Sequence, residues 1–321
     1  MRYEMYKDNI KLSKFCLGAM RLPQTAPRFA GPINESKAQE IIDYCMALGV
    51  NYYDTAYIYH GGKSEVVLGR ALSKYPRESF YIADKFNVQA NPDYKAQFVE
   101  QLARLQTEYI DFYLLHGVTD LTVSDYEVNG CISYFEEQKR TGKIKYLGFS
   151  FHGTPDCLRK LLEKYRWDFV QVQFNFLDEN FQAGIEGIHY AHEKGLAVMV
   201  MEPLRGGVLT HHIPKEALKI YERDESRRTP AEWALRWVWN HPEITVVLSG
   251  MNEDDHVKEN IRIAENALPN SMSEVELAVI SELKQQYHFR IGCTGCAYCM
   301  PCPAGINIPL AFSHGVKQGL K

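Results

Sequence analysis

The sequence predicts an α/β protein whose parallel strands close into a (β/α)8 TIM barrel, with an N-terminal β-hairpin in front and a short C-terminal cysteine-rich appendage behind. Strand-like apolar runs alternate with helix-like segments eight times between residues 15 and 266. The runs, such as Phe15-Cys16-Leu17-Gly18 and residues 245–250 (TVVLSG), are apolar on both faces, as parallel strands covered by helices are. No G-x-G-x-x-G follows the first run, which argues against an open dinucleotide-binding sheet and for a closed barrel.

In chain order, residues 3–12 (YEMYKDNIKL) read as a hairpin turning at Lys7-Asp8-Asn9. The strand over 15–18 precedes a helix over 35–48 that Gly49 closes. Strand 52–56 precedes helix 63–75, strand 81–86 precedes helix 92–105, and strand 109–116 precedes one helix over 126–141 ended by Gly142. Strand 144–150 leads to helix 155–165, and strand 169–175 to helix 182–194. Strand 197–203 leads into a longer loop, after which Thr229-Pro230-Ala231-Glu232 begins a helix: a threonine cap, proline in the first turn and an acid at the positive dipole end. Strand 245–250 and helix 253–266 complete the series. The barrel is thus assigned to 1–270, one further helix to 271–291, and the appendage to 292–321.

Composition narrows the class. A chain of 321 residues with 45% hydrophobic and 24% charged content buries a core without needing disulfides. A net charge of −4 gives no basic surface for nucleic acid or anionic membrane. No apolar run reaches the ~20 residues of a membrane helix. The first residues, MRYEMYKDNIKL, lack a signal-peptide core, so a cytoplasmic location is expected.

The chemistry concentrates where barrel enzymes keep it, at strand C-termini. Asp54 ends the second barrel strand, Lys85 the third and His116 the fourth, while Tyr59 lies on the loop five residues past Asp54. Taken singly, these read as a cap, a strand end, a structural histidine and a packing tyrosine; their joint placement marks a site. The set suits carbonyl reduction. Hydride arriving at a carbonyl carbon builds charge on oxygen, which needs a proton donor. A phenol with a pKa near ~10 becomes a better one beside Lys⁺. Asp54 would orient that lysine, and His116 would add a hydrogen bond to the oxygen.

The segments DTAxxY-x4-SE (54–65), ADK (83–85), YLLH (113–116), GFS (148–150), VQVQFN (170–175), EPLRGGVL (202–209) and GMNEDDHVKEN (250–260) together resemble the aldo-keto reductase superfamily over residues 3–268. The resemblance implies a reductase of aldehydes or ketones using NADP(H) or NAD(H), with Asp54, Tyr59, Lys85 and His116 as its tetrad. It also implies cofactor contacts at Gly18, Met20 and Asp54, at Ser150 and Gln171 on the carboxamide, and at Met201 and Glu202 at the seventh strand end. The backbone of 204–207, with Leu204, Gly206 and Gly207, would face the pyrophosphate, and Gly250, Met251, Asn252, His256, Glu259 and Asn260 the adenosine. Gly250 and His256 stand where basic residues would hold a 2′-phosphate, and Glu253, Asp254 and Asp255 lie between them. Acids repel phosphate, so NAD(H) enters beside NADP(H). Met201 stands where many members stack a tyrosine, and Phe151 follows Ser150 in place of an asparagine. The superfamily also contains nucleotide-holding regulatory subunits, which leaves a binding or electron-transfer module as the alternative function.

Eight cysteines divide into isolated Cys16, Cys45, Cys131 and Cys157, which read as small core residues, and a tight run, Cys293, Cys296, Cys299 and Cys302. The run, C-x2-C-x2-C-x2-C-P, suits a single [4Fe–4S] cluster, with zinc as the alternative. It resembles an iron–sulfur-type extension carried by one branch of the superfamily, and such a centre would imply an electron-transfer partner. The small-molecule substrate is set by the loops 21–34, 117–125 and 204–228, which hold no diagnostic motif.

Overall fold

Eight parallel strands between residues 15 and 249 hydrogen-bond in sequence order and close on themselves, because the last pairs with the first. The structure, a computed structural model, describes residues 1–7, 10–26, 31–224, 226–287, 302, 304–308 and 310–312. A hairpin comes first, β1 (Tyr3–Tyr6) antiparallel to β2 (Ile10–Ser13). The barrel then runs β3 (Phe15–Gly18), α1 (Glu35–Ala47), β4 (Tyr52–Asp54), α2 (Lys63–Leu72), β5 (Tyr81–Phe86), α3 (Tyr94–Leu105) and β6 (Ile110–Val118). It continues with α4 (Val123–Asn129), α5 (Cys131–Arg140), β7 (Ile144–Phe151), α6 (Pro155–Lys164), β8 (Phe169–Gln173), α7 (Gly184–Glu193) and β9 (Ala197–Met201). After α8 (Val208–His211), α9 (Lys215–Glu222) and α10 (Pro230–Trp239), β10 (Ile244–Ser249) and α11 (Asp254–Ala264) close the barrel, and α12 (Glu274–Gln286) packs outside.

Local chemistry starts the helices where expected. Thr229 Oγ1 accepts the Glu232 N–H at 3.1 Å above Pro230, and Ser273 with Glu276 forms a full capping box on α12. Three expectations change. The single helix over 126–141 is two helices, because Gly130 adopts φ +80°, a left-handed break that ends α4 and turns the chain into α5. The long loop after β9 holds α8 and α9, the latter burying Ala217, Ile220 and Tyr221 on one face. The ninth strand also stops at Met201, two residues early, because Glu202 turns to φ +54° before Pro203.

The core has two layers. Between sheet and helices lies a large apolar shell that includes Leu17, Tyr53, Phe86, Phe135, Phe149 and Trp237. Inside the barrel, Cys16, Tyr52, Ala83, Phe112, Leu114, Tyr146, Phe169, Met199, Val246 and Leu248 meet, with Leu12 of the hairpin sealing the N-terminal end. Burial pushes the Cys45 and Cys131 thiols up to about 12, in keeping with core packing. Among the described residues no helix is long and apolar enough to cross a membrane.

Candidate active site

Strand periodicity builds the site. Side chains two apart on a strand share a face, so the inward row that contains Tyr52, Ala83, Leu114, Phe169 and Met199 continues to Asp54, Lys85, His116, Gln171 and Met201. Each strand therefore supplies apolar filling below and a polar or thioether group at its C-terminal end. Parallel register levels them: Asp54 lies opposite Ala83, Lys85 opposite Leu114, and Gln171 opposite Met199.

Lys85 is fully buried, and its Nζ donates to Asp54 Oδ1 and to the Thr55 carbonyl, both at 2.6 Å. The same Nζ lies 4.9 Å from the centroid of the Tyr59 ring. Tyr59 meets His116 edge-on, ring centroids 5.7 Å apart at 81°. Tyr59 reaches this position because the chain reverses just after it: His60, Gly61 and Gly62 all adopt positive φ. Gln24 Nε2, 2.9 Å from His60 Nδ1, ties that turn to the loop after β3.

Burial sets the charge states. Desolvation, then the Lys85 ammonium, then His152 hold the His116 imidazole well below its usual range, so it is neutral. Burial raises the Asp54 carboxyl, while Lys85 pulls it down. Desolvation lowers His152, half-buried with Nδ1 3.1 Å from Gln182 Oε1, to about 4. Between pH 6.5 and about 4 the unfolded chain therefore binds a proton at His152 that the folded chain refuses, and this contribution to stability is full above 6.5 and lost as pH falls. Buried Asp54 and Asp84, with raised values, carry the opposite sign. The histidine contribution is isolated by difference: the stability of wild type minus that of His152→Gln, from denaturant titrations, is expected to drop from pH 7 to 4.5, and a constant difference would refute it.

A cavity of about 640 Å³ opens beside Tyr59 at the C-terminal mouth. Its walls include Gly18, Met20, Asp54, Tyr59, Gln171, Met201, Glu202, Leu204, Gly206, Gly207, Gly250, Met251, Asn252, His256, Glu259 and Asn260. Lys85 and His116 stand behind Tyr59 and Asp54 rather than on the wall. Ser150 is also off the wall, fully buried, and its Oγ accepts the Gly117 N–H at 2.7 Å. Arg21, Thr210 and His211, from the loops 21–34 and 204–228 expected to set the substrate, line the cavity as well, as does Glu253 at the adenosine end; residues 229–231 were not expected there. Thr229 and Pro230 read from sequence only as a helix start.

The walls fit a dinucleotide. The volume lies within the ~300–1,000 Å³ usual for ligand clefts. Gln171 is 2% exposed, and its Oε1 has no hydrogen-bond partner among the described residues, an acceptor that a carboxamide N–H would satisfy. For the cysteine run the position differs. Cys293, Cys296 and Cys299 lie outside the described residues, and Cys302 is half-buried and unbridged. Among the described residues no group of three or more His, Cys, Asp or Glu side chains is placed to hold a metal ion.

A closed eight-stranded barrel with a polar cluster and cleft at its C-terminal mouth defines a TIM-barrel enzyme. The family model described as "Aldo/keto reductase family" matches residues 14–276, and the chain belongs to that family; it is an oxidoreductase. It is 29% identical over 312 residues to a probable aldo-keto reductase 1 of Glycine max, covering 86% of each chain. It is 23% identical to the NADH-specific methylglyoxal reductase of Escherichia coli, covering 86% of this chain and 96% of that one. Among solved structures it resembles the holo form of aldo-keto reductase AKR11C1 from Bacillus halodurans, with a TM-score of 0.72 at 27% identity, covering 91% of this chain and 99% of that one.

Proposed function

We propose that this protein reduces an aldehyde or ketone, reversibly, with a nicotinamide dinucleotide, and that Tyr59 is its general acid. The observation that carries this reading is the buried Lys85–Asp54 pair at 2.6 Å with Lys85 Nζ 4.9 Å from the Tyr59 ring, beside the cleft. The bound nucleotide supplies the hydride to the carbonyl carbon. Tyr59 gives its proton to the carbonyl oxygen. The Lys85 ammonium favours the negative charge left on the phenol, and Asp54 and the Thr55 carbonyl hold that ammonium in place. His116, kept neutral, offers an N–H to the developing oxyanion without adding charge. Gln171 would hold the carboxamide and Met201 would pack on the nicotinamide, while Ser150, off the wall, would act only through the Gly117 amide it holds. Gly18 and Met20 flank it, Glu202, Leu204, Gly206 and Gly207 border the pyrophosphate, and Gly250, Met251, Asn252, His256, Glu259 and Asn260 surround the adenosine.

The charge at the adenosine end favours NADH. Glu253 and Glu259 line the cleft there, and Lys37, a nearby cation, is engaged by Asp254 at 2.6 Å and Glu40 at 3.2 Å. Arg21, also on this wall, packs its aliphatic stem toward Gly250, where an added Cβ would lie 3.0 Å from Arg21 Cβ. Two carboxylates against a 2′-phosphate are expected to make kcat/KM with NADH about tenfold or more above that with NADPH, equivalent to ~1.4 kcal/mol. Steady-state rates with both nucleotides and a panel of aldehydes and ketones check this; equal or reversed values would refute the preference. Absence of turnover with every pair would sink the reductase reading itself.

The run Cys293, Cys296, Cys299 and Cys302 is included in the proposal as a [4Fe–4S] centre on the 292–321 appendage, supported by its spacing and its resemblance to an iron–sulfur-type extension, with zinc as the alternative. No step of the reduction passes through it. Anaerobic purification with iron, sulfide and zinc analysis decides between them, and bleaching of the visible band by NADH would support an electron-transfer partner.

A further inference from the structure

We infer that Arg205 and Asp178 form a buried clamp that holds the turn after β9 in its nucleotide-binding shape, which makes both positioning residues for the cofactor; this rests on the reductase reading above. The turn, residues 202–207, has an unusual backbone. Glu202 has φ +54°, Arg205 +49°, Gly206 +65° and Gly207 +92°. For the two non-glycine residues the left-handed region costs roughly 1–2 kcal/mol each, so something outside the turn must impose it.

The side chains show what does. Glu202, Pro203, Leu204, Gly206 and Gly207 all line the cleft, and Arg205 is the residue of the turn that does not. Its side chain runs back into the protein, where the residue is 6% exposed, and Nε donates to Asp178 Oδ2 at 2.9 Å. That one carboxylate oxygen also accepts Gln173 Nε2 at 2.9 Å and Asn175 Nδ2 at 3.0 Å. Asn175 Nδ2 reaches on to the Glu202 carbonyl at 3.2 Å, so the strained turn is tied to the loop after β8 at its start and at its middle. Asn175 Oδ1 accepts the N–H groups of Leu177 and Asp178, both at 3.1 Å, which fixes the loop that carries the acid.

A buried ion pair contributes little net stability compared with apolar packing, but it enforces one geometry because breaking it strands a charge. Here the geometry enforced is that of a turn whose other residues face the cleft. Without the guanidinium, Asp178 keeps only neutral donors among the described residues, Gln173 and Asn175, and the turn can relax out of its left-handed conformation. The nucleotide must then reorder it on binding, and the cost falls on affinity rather than on the chemical step.

Nucleotide binding by fluorescence titration, together with hydrogen exchange of residues 202–209 in nucleotide-free protein, tests the clamp in the full-length chain. Arg205→Met is expected to weaken the NADH Kd by about tenfold or more, with kcat at saturating nucleotide within about threefold, and to speed exchange across the turn. Asp178→Asn should reproduce the exchange effect, and Arg205→Lys, which keeps the charge, should recover most of the affinity. If Arg205→Met does not fold, Arg205→Gln carries the same two readouts. Wild-type Kd and wild-type exchange in the variant would overturn the clamp, as would a fall in thermal stability with unchanged Kd. Failure of the underlying reading would show separately, as wild-type protein that binds neither NADH nor NADPH.

Discussion

Tyr59→Phe is expected to lower kcat for carbonyl reduction by roughly 10²–10⁴-fold, the usual contribution of a positioned general acid. The substitution removes one oxygen and leaves the ring, so the edge-on contact with His116 and the packing over Lys85 survive. Tyr59 is buried at 9% exposure, and the loss of a single hydroxyl should change stability little. Nucleotide affinity should hold within about twofold, because the phenol acts on the carbonyl oxygen and not on the dinucleotide. Single-turnover hydride transfer, followed by loss of dihydronicotinamide absorbance, measures the step directly. A variant as fast as wild type would remove Tyr59 from the mechanism and leave His116 as the remaining donor.

Removing the lysine should damage both activity and stability. Lys85→Met strands the Asp54 carboxylate, which is 2% exposed and whose Oδ2 already has no partner among the described residues. Breaking a buried pair from one side costs about 3–5 kcal/mol. The same change takes from Tyr59 the cation that favours its proton transfer, so kcat should fall by at least the ~10²-fold expected of the phenol. The two effects separate in the double variant Lys85→Met/Asp54→Leu, which removes both charges. Stability by denaturant titration should return to within about 1 kcal/mol of wild type, because an apolar pair of similar volume replaces the ions, while activity stays lost. Recovery of activity in the double variant would show that the pair is structural only.

The legible part of the site followed from strand parity. Asp54, Lys85 and His116 sit at the ends of apolar runs, and in a parallel barrel such ends converge whatever the loops do. Tyr59 was readable because only four residues separate it from Asp54, too few to leave the mouth. Residues 229–231 were not readable as cleft walls, since their place depends on where the N-terminus of α10 meets the barrel mouth. The break between α4 and α5 was hidden for a different reason. Gly130 inside a helical pattern costs about 1 kcal/mol relative to alanine, which a helix can tolerate, and only the packing of Cys131, Ile132 and Phe135 against the sheet selects the bent form.

The amino-acid order by itself determined the architecture, the family and the level of the barrel at which the polar groups gather, because periodicity and strand-end chemistry are local properties that repetition makes unambiguous. The tertiary structure alone decided which groups touch. That Lys85 is shared between Asp54 and the Thr55 carbonyl, that Ser150 serves the Gly117 amide, and that Arg205 turns away from the cleft to meet Asp178 are facts of distance between strands. Such contacts depend on a few ångströms of register and rotamer, which no spacing within one strand encodes.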